Sequence, residues 1–234
     1  MKPVFLIAAN FVRENRWPLI SLLVYVLVFG GAAIILGGST LEDAVFFLRS
    51  VGVYGVAFTG LLAASGVNNE RRTRRMLAVL SKGIERWQYL GGLLLGVMAD
   101  AAIYSVAIVA VGTLAFARYG QSPAVLWELV GLLLASFLLA ATVALFYSTL
   151  LHPLMATAAA AITLATMGAL GRVLGGMWAN VLPSYTLAEA MVNISGSGWH
   201  APWAACGWAV AESVVFAAMA ALAFSQRDIA VAIE

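Results

Sequence analysis

The sequence predicts an all-α polytopic membrane protein with six transmembrane helices. Three observations predict it. The 234-residue chain is 63% hydrophobic and only 10% charged, with a mean hydropathy of +0.96, whereas soluble domains carry about 25% charged residues. Apolar stretches of about 20 residues, the length needed to cross a bilayer, recur along the chain. The charge is gathered rather than spread: Val67 to Gln88 reads VNNERRTRRMLAVLSKGIERWQ and holds Arg71, Arg72, Arg74, Arg75, Lys82 and Arg86. A short basic segment between two spans stays in the cytoplasm because Lys and Arg resist translocation. That placement orients every other span.

Residues 1–16 come first. Val4, Ile7, Ala8, Phe11 and Val12 recur at helical spacing on one face, which predicts an amphipathic helix lying in the cytoplasmic interface. Its apolar run is short and is followed by polar and basic residues, so it reads as mature chain rather than a signal peptide. The first span covers 17–36, with Trp17 as interfacial anchor, and Gly37 to Thr40 make the outer turn. The second span covers 45–66. Arg49 near its outer end is placed to snorkel towards Glu42 or Asp43.

The basic segment occupies 67–88, with Asn68 or Asn69 as a helix cap and Met76, Leu77, Val79 and Leu80 as an apolar side. Spans at 89–116, 124–148 and 154–174 follow, joined by short turns. The stretch 175–202 is too polar to span. Thr186-Leu187-Ala188-Glu189 has capping-box spacing and predicts a short helix over 187–194. Trp178, Trp199 and Trp203 suit an outer interfacial belt, and the last span covers 203–224. With both termini cytoplasmic, ten of the 13 Lys and Arg fall inside. The whole chain, 1–234, is one transmembrane domain.

Several chemistries are excluded. No Gly-rich phosphate loop ending in Lys occurs, and the only lysines are Lys2 and Lys82, so the chain has no nucleotide cradle. The two histidines, His152 and His200, fall on opposite sides of the membrane, which leaves no built metal site and no serine–histidine pair within a span. The single cysteine, Cys206, excludes an intrachain disulfide. The glycine pairs Gly92/Gly96 and Gly171/Gly175 have the spacing of close helix contacts, including dimer contacts. Asp100 and Glu212 fall near the middle of spans, where a carboxylate is costly. Three readings stand for them: lining a substrate or cation path, a structural hydrogen bond to a neighbouring span, or a protonated carboxyl.

The arginines crowd the start of the basic segment, which opposes the helix dipole; they face anionic lipid or an acidic partner surface, or form a solvated charge run that only sets the topology. Here the sequence resembles the membrane subunits of type-2 ABC transporters, mostly bacterial exporters, whose first cytoplasmic loop reads like E-R-x-x-G-T-L-x-x-L-L-x-x-P-x-S-R-x-x-x. Glu70-Arg71 opens the match, Met76, Val79 and Leu80 fill apolar positions, and Arg86-Trp87-Gln88-Tyr89 closes it. Arg74-Arg75 stand in place of Gly-Thr, and Gly83 in place of Pro. Pro183-Ser184-Tyr185 with Glu189-Ala190 is similar to the P-x-x-Y…E-A pattern before the family's last span.

The resemblance implies a permease subunit, not itself an enzyme, working as a homo- or heterodimer in the bacterial inner membrane. Residues 67–88 would carry a cytoplasmic coupling helix between spans 2 and 3. Glu70, Arg71, Arg72, Arg74, Arg75, Met76, Leu80 and Lys82 would contact a separate ATPase subunit, which binds the ATP and Mg. Residues 175–202 would form an external re-entrant segment, with Pro183, Tyr185 and Glu189 at the gate. Two other functions remain open on sequence: a self-contained ion-coupled transporter or channel using Asp100 and Glu212, and a membrane scaffold. No nucleic-acid partner is implied.

Overall fold

The computed structural model describes residues 2–35, 40–72, 84–194 and 198–226. Among these the structure is helical throughout, with no strand. The helices are α1 (Lys2–Glu14), α2 (Arg16–Val24), a π-helical turn (Tyr25–Phe29), α3 (Gly30–Ile35), α4 (Leu41–Arg72), α5 (Arg86–Arg118), α6 (Ala124–Leu150), α7 (Pro153–Leu174), α8 (Trp178–Val181), α9 (Ser184–Val192) and α10 (Trp203–Gln226). Five of them (α4, α5, α6, α7 and α10) are long and apolar enough to cross a membrane. A sixth candidate is a bent pair: α1 and the stretch Arg16–Ala32 meet the same criterion only together, across a 57° bend, as one broken span or a re-entrant loop. The bend falls at Asn15, whose side-chain amide donates to Phe11 O. Pro18, three residues on, has no N–H to continue the ladder from Glu14.

The central strut is α6. Its hydrophobic stretch is 72% buried against 22% for α7 and α10, because α4, α5, α7 and α10 all pack on it. Against it Tyr104 of α5 lies 6.3 Å from the ring of Phe137 and donates its hydroxyl to Val51 O of α4 at 2.7 Å. Both rings fit because residue 55 is glycine: a Cβ there would lie 2.4 Å from Tyr104.

Four local features differ from the sequence expectations. At Thr40 and Asp43 a capping box opens α4: Thr40 N donates to Asp43 Oδ2 at 2.7 Å and Asp43 N to Thr40 Oγ1 at 3.3 Å. The predicted cap at Asn68 or Asn69 does not form. With no Gly or Pro between residues 67 and 72, α4 runs straight through both to Arg72. At about 48 Å for 32 residues, α4 outreaches the ~30 Å hydrocarbon core and carries the start of the basic segment as a rigid extension.

The capping box predicted at Thr186 is also absent. The helix begins earlier, at Ser184 behind Pro183, and the Thr186 hydroxyl donates to Ala179 O at 2.6 Å instead. Lastly, Arg49 pairs with neither Glu42 nor Asp43; its guanidinium donates to Ile194 O, just beyond α9.

At the end of the bundle that carries the basic segment, α1 lies against α5. Residue 92 takes Ile7, since a Cβ there would fall 2.8 Å from Ile7 Cβ, and residue 96 takes Phe11 at the same distance. The Gly92/Gly96 pair is therefore filled by a helix of the same chain. Phe11 also meets α4, where a Cβ at Gly66 would fall 3.1 Å from its ring. One side chain thus wedges between the two helices that flank the basic segment. Phe5 and Leu6, on the other side of α1, remain exposed. Across α5 from α1, Arg86 donates to Phe224 O and Ser225 O at 3.0 and 2.7 Å. Beside it Tyr89 stacks on Phe224, tying α5 to the end of α10.

Candidate functional site

The opposite end is covered by the hairpin of α8 and α9, pinned to three spans. On α7, Gly168 and Gly171 admit its backbone: a Cβ at Gly171 would lie 2.8 Å from Leu182 O, and one at Gly168 3.3 Å from Tyr185 N. Gly171 therefore serves the hairpin, while Gly175 ends the helix in a left-handed conformation (φ 62°) that favours glycine. Arg172 sits over the Tyr185 ring at 5.5 Å. On α4, Arg49 holds the end of α9 and Met191 rests on Gly52. On α6, Glu128 accepts from Ala201 N at 2.7 Å and pairs with His200 Nδ1 at 3.1 Å, while Trp203 packs on Gly131.

Of the predicted gate residues, Pro183 is buried at the start of α9, Tyr185 faces α7, and Glu189 is exposed. The Tyr185 hydroxyl donates to Glu189 Oε1 at 3.3 Å. Glu128 carried no signal beyond its place at the end of a span. Replacing it with alanine removes the acceptor for Ala201 N and is expected to raise hydrogen exchange across α9. The adjoining turns of α6 keep their protection. Unchanged exchange in α9 would show that the other two anchors suffice.

Beneath the hairpin, α4, α6, α7 and α9 line a groove of about 570 Å³ that is open along one side, where Val53, Leu61 and Val192 are exposed. No charged side chain lines it among the described residues. Its walls are small: Ala57 and Gly60 of α4, Ala140 and Ala144 of α6, Ala161 and Ala165 of α7. Leu187 and Met191 of α9 form the lid side. Neither Asp100 nor Glu212 lines this cavity. Asp100, on α5, is 1% exposed and neither carboxylate oxygen has a partner among the described residues; Glu212, on α10, is half-buried with Oε2 likewise unpartnered. The hydrogen bond expected of them is absent on those atoms. Asp100 lies fourteen residues beyond Arg86 and Glu212 twelve before Phe224, so they stand at about 21 and 18 Å from the Arg86–Phe224 tie, at nearly one level.

Of the predicted coupling residues, Glu70, Arg71 and Arg72 occupy the last turn of α4. Arg74, Arg75, Met76, Leu80 and Lys82 lie outside the described residues. No cluster of three metal-ligating side chains occurs among the described residues.

A bundle of five helices long and apolar enough to cross a bilayer, with an apolar groove under a helical hairpin, belongs to the class of integral membrane proteins. Within that class the chain belongs to the ABC-2 family: the family model described as ABC-2 family transporter protein matches residues 39–222. The match takes in the basic segment, the four cavity helices and the hairpin. No curated protein and no solved structure matches the chain significantly. The protein is therefore a type-2 ABC transporter permease, a family whose membrane component has no catalytic site of its own and works with an ATP-binding subunit.

Proposed function

We propose that this chain is the permease of an ATP-driven exporter, paired with a second permease chain and two ATPase subunits in the bacterial inner membrane. Both termini are cytoplasmic, on the side where Lys and Arg collect. ATP and Mg are held by the partner subunit, and residues 67–88 form the contact with it. The observation that carries this reading is the mechanical link from the basic segment to the cavity. The helix α4 leaves the cavity wall at Leu61 and runs unbroken to Arg72.

Closure of the ATPase dimer moves the basic segments of the two permeases. Because α4 and α5 are stiff and share the Phe11 wedge, the motion passes to them as rigid bodies. The cavity wall on α4 then shifts against α7 and the hairpin, and access changes. Met76 and Leu80 supply apolar docking contacts; Glu70, Arg71, Arg72, Arg74, Arg75 and Lys82 supply charge pairing. Pro183, Tyr185 and Glu189 act at the external gate.

The test is Leu80→Asp in the reconstituted complex. The expected result is retained folding and ATP hydrolysis with transport lost; unchanged coupling would remove the docking role. A reporter fused after Lys82 is expected in the cytoplasm. A self-contained ion-coupled transporter is disfavoured because Asp100 and Glu212 lie off the cavity. Transport without an added ATPase chain would restore that reading.

A further inference from the structure

We propose that the cavity between α4, α6, α7 and α9 is a slot for one acyl chain of an ester- or amide-linked lipid, with the Ser184 hydroxyl donating to the carbonyl at the head of that chain. As a statement about binding it stands alone. As a statement about the transported substrate it rests on the permease reading above.

Shape comes first. The lining residues on α7 run from Thr157 to Ala169, twelve residues or about 18 Å along the helix. One leaflet is half of a hydrocarbon core about 30 Å thick, so the slot is a rod of roughly acyl length. Its 570 Å³ lies within the roughly 300–1,000 Å³ of small-molecule sites.

Chemistry comes second. With no charged side chain in the wall among the described residues, an ionic group lying in the groove at membrane depth would be desolvated and unpaired. Water fares little better, since a buried water needs two to four polar partners. The Ser136 and Thr157 hydroxyls are each committed to a carbonyl of their own helix, at Leu132 and Pro153. The void also results from composition. Alanine and glycine stand on three helices where larger side chains would fill the groove. An uncharged, elongated hydrocarbon satisfies such a wall.

The orientation follows from Ser184. Its Oγ lines the hairpin end of the slot, is buried, and has no partner among the described residues. A donor left unsatisfied there fits an acceptor at one end of the occupant. The carbonyl therefore lies at the hairpin end and the tail points towards Thr157.

The test uses the full chain in vesicles of phosphatidylcholine carrying a photoactivatable diazirine within one acyl chain, with adducts mapped by peptide mass. The expected result is labelling of the α6 and α7 wall above that of Val214. Val214 is an outward-facing residue of α10 (65% exposed) that reports bulk lipid. Ala165→Phe, which fills the slot, is expected to abolish the excess and leave the Val214 signal unchanged; that unchanged signal also reports an intact bundle. The gentler Ser184→Ala is expected to lower excess labelling by the ester-linked probe roughly three- to tenfold, the worth of one hydrogen bond. It should leave an ether-linked probe unaffected.

Wall labelling no higher than at Val214 and insensitive to Ala165→Phe would overturn the proposal. So would an unlabelled wall in which Ala165→Cys cross-links two copies, because the occupant would then be a second chain. Equal loss of both probes in Ser184→Ala would overturn the role given to the carbonyl. None of these measurements involves an ATPase, so failure here is distinguishable from failure of the permease reading, which Leu80→Asp tests separately.

Discussion

Phe11→Ala is expected to release α1 from the bundle and to uncouple ATP hydrolysis from transport. Phe11 is 4% exposed and occupies the gap between Gly66 of α4 and Gly96 of α5. Phe→Ala changes in packed cores cost roughly 3–5 kcal/mol, and the lower part of that range is expected because lipid, rather than water, is available to the exposed groups. The functional consequence follows from position, since α4 and α5 carry the two ends of the basic segment. Without the wedge each can move independently of the other.

A double mutant checks the geometry directly. Gly66→Ala alone places a methyl 3.1 Å from the Phe11 ring, so the ring must give way by a few tenths of an ångström and part of the helix-propensity gain is lost. In the Phe11→Ala background that atom is gone, and the same methyl partly refills the gap. Gly66→Ala is therefore expected to be more favourable in the Phe11→Ala background than alone, with a coupling energy of about 0.5–3 kcal/mol, measured by unfolding in mixed detergent. Additive effects would show that Phe11 does not sit where the wedge requires.

Composition and charge made the spans and the basic segment legible, because both are properties of the chain in one dimension. The hairpin was legible through its polarity and through Pro183-Ser184-Tyr185. The positions of its contacts were not. Thr40-Leu41-Glu42-Asp43 and Thr186-Leu187-Ala188-Glu189 share a capping spacing, yet only the first forms. The deciding facts are that Pro183 has already set the start of α9 and that Ala179 O takes the Thr186 hydroxyl. Spacing offers a partner; the fold chooses between partners. Likewise Arg49 had two acids nearby in sequence and chose a carbonyl 145 positions away.

The Gly92/Gly96 pair signalled a close approach without naming the visitor. The cavity was the least legible feature, because it consists of side chains that are missing from three separate helices. Alanine and glycine are common in membrane helices for the opposite purpose, bringing backbones together. Only the relative placement of α4, α6 and α7 turns the same residues into a void.

Asp100→Leu is expected to stabilise the protein and impair transport. Leucine has the same branched skeleton as aspartate, with methyls where the carboxylate oxygens stand. Those oxygens are buried without a hydrogen-bond partner among the described residues, so the native protein bears a desolvation penalty that nothing nearby offsets. A buried polar group left without a partner costs about 1–3 kcal/mol, and its removal should appear as a raised unfolding midpoint. Asp100→Asn keeps a polar group in the same place and is expected to stay near the native midpoint. Glu212, only half-buried, is expected to respond less to Glu212→Leu than Asp100 does to its leucine variant. An unpaired carboxyl at this depth is free to take a partner when the helices move, hence the expected fall in ATP-driven transport. A stabilised and fully active Asp100→Leu would leave the carboxylate with no role. A destabilised one would mean that Asp100 is paired with a group on another chain, and the search for its partner would turn to the permease dimer.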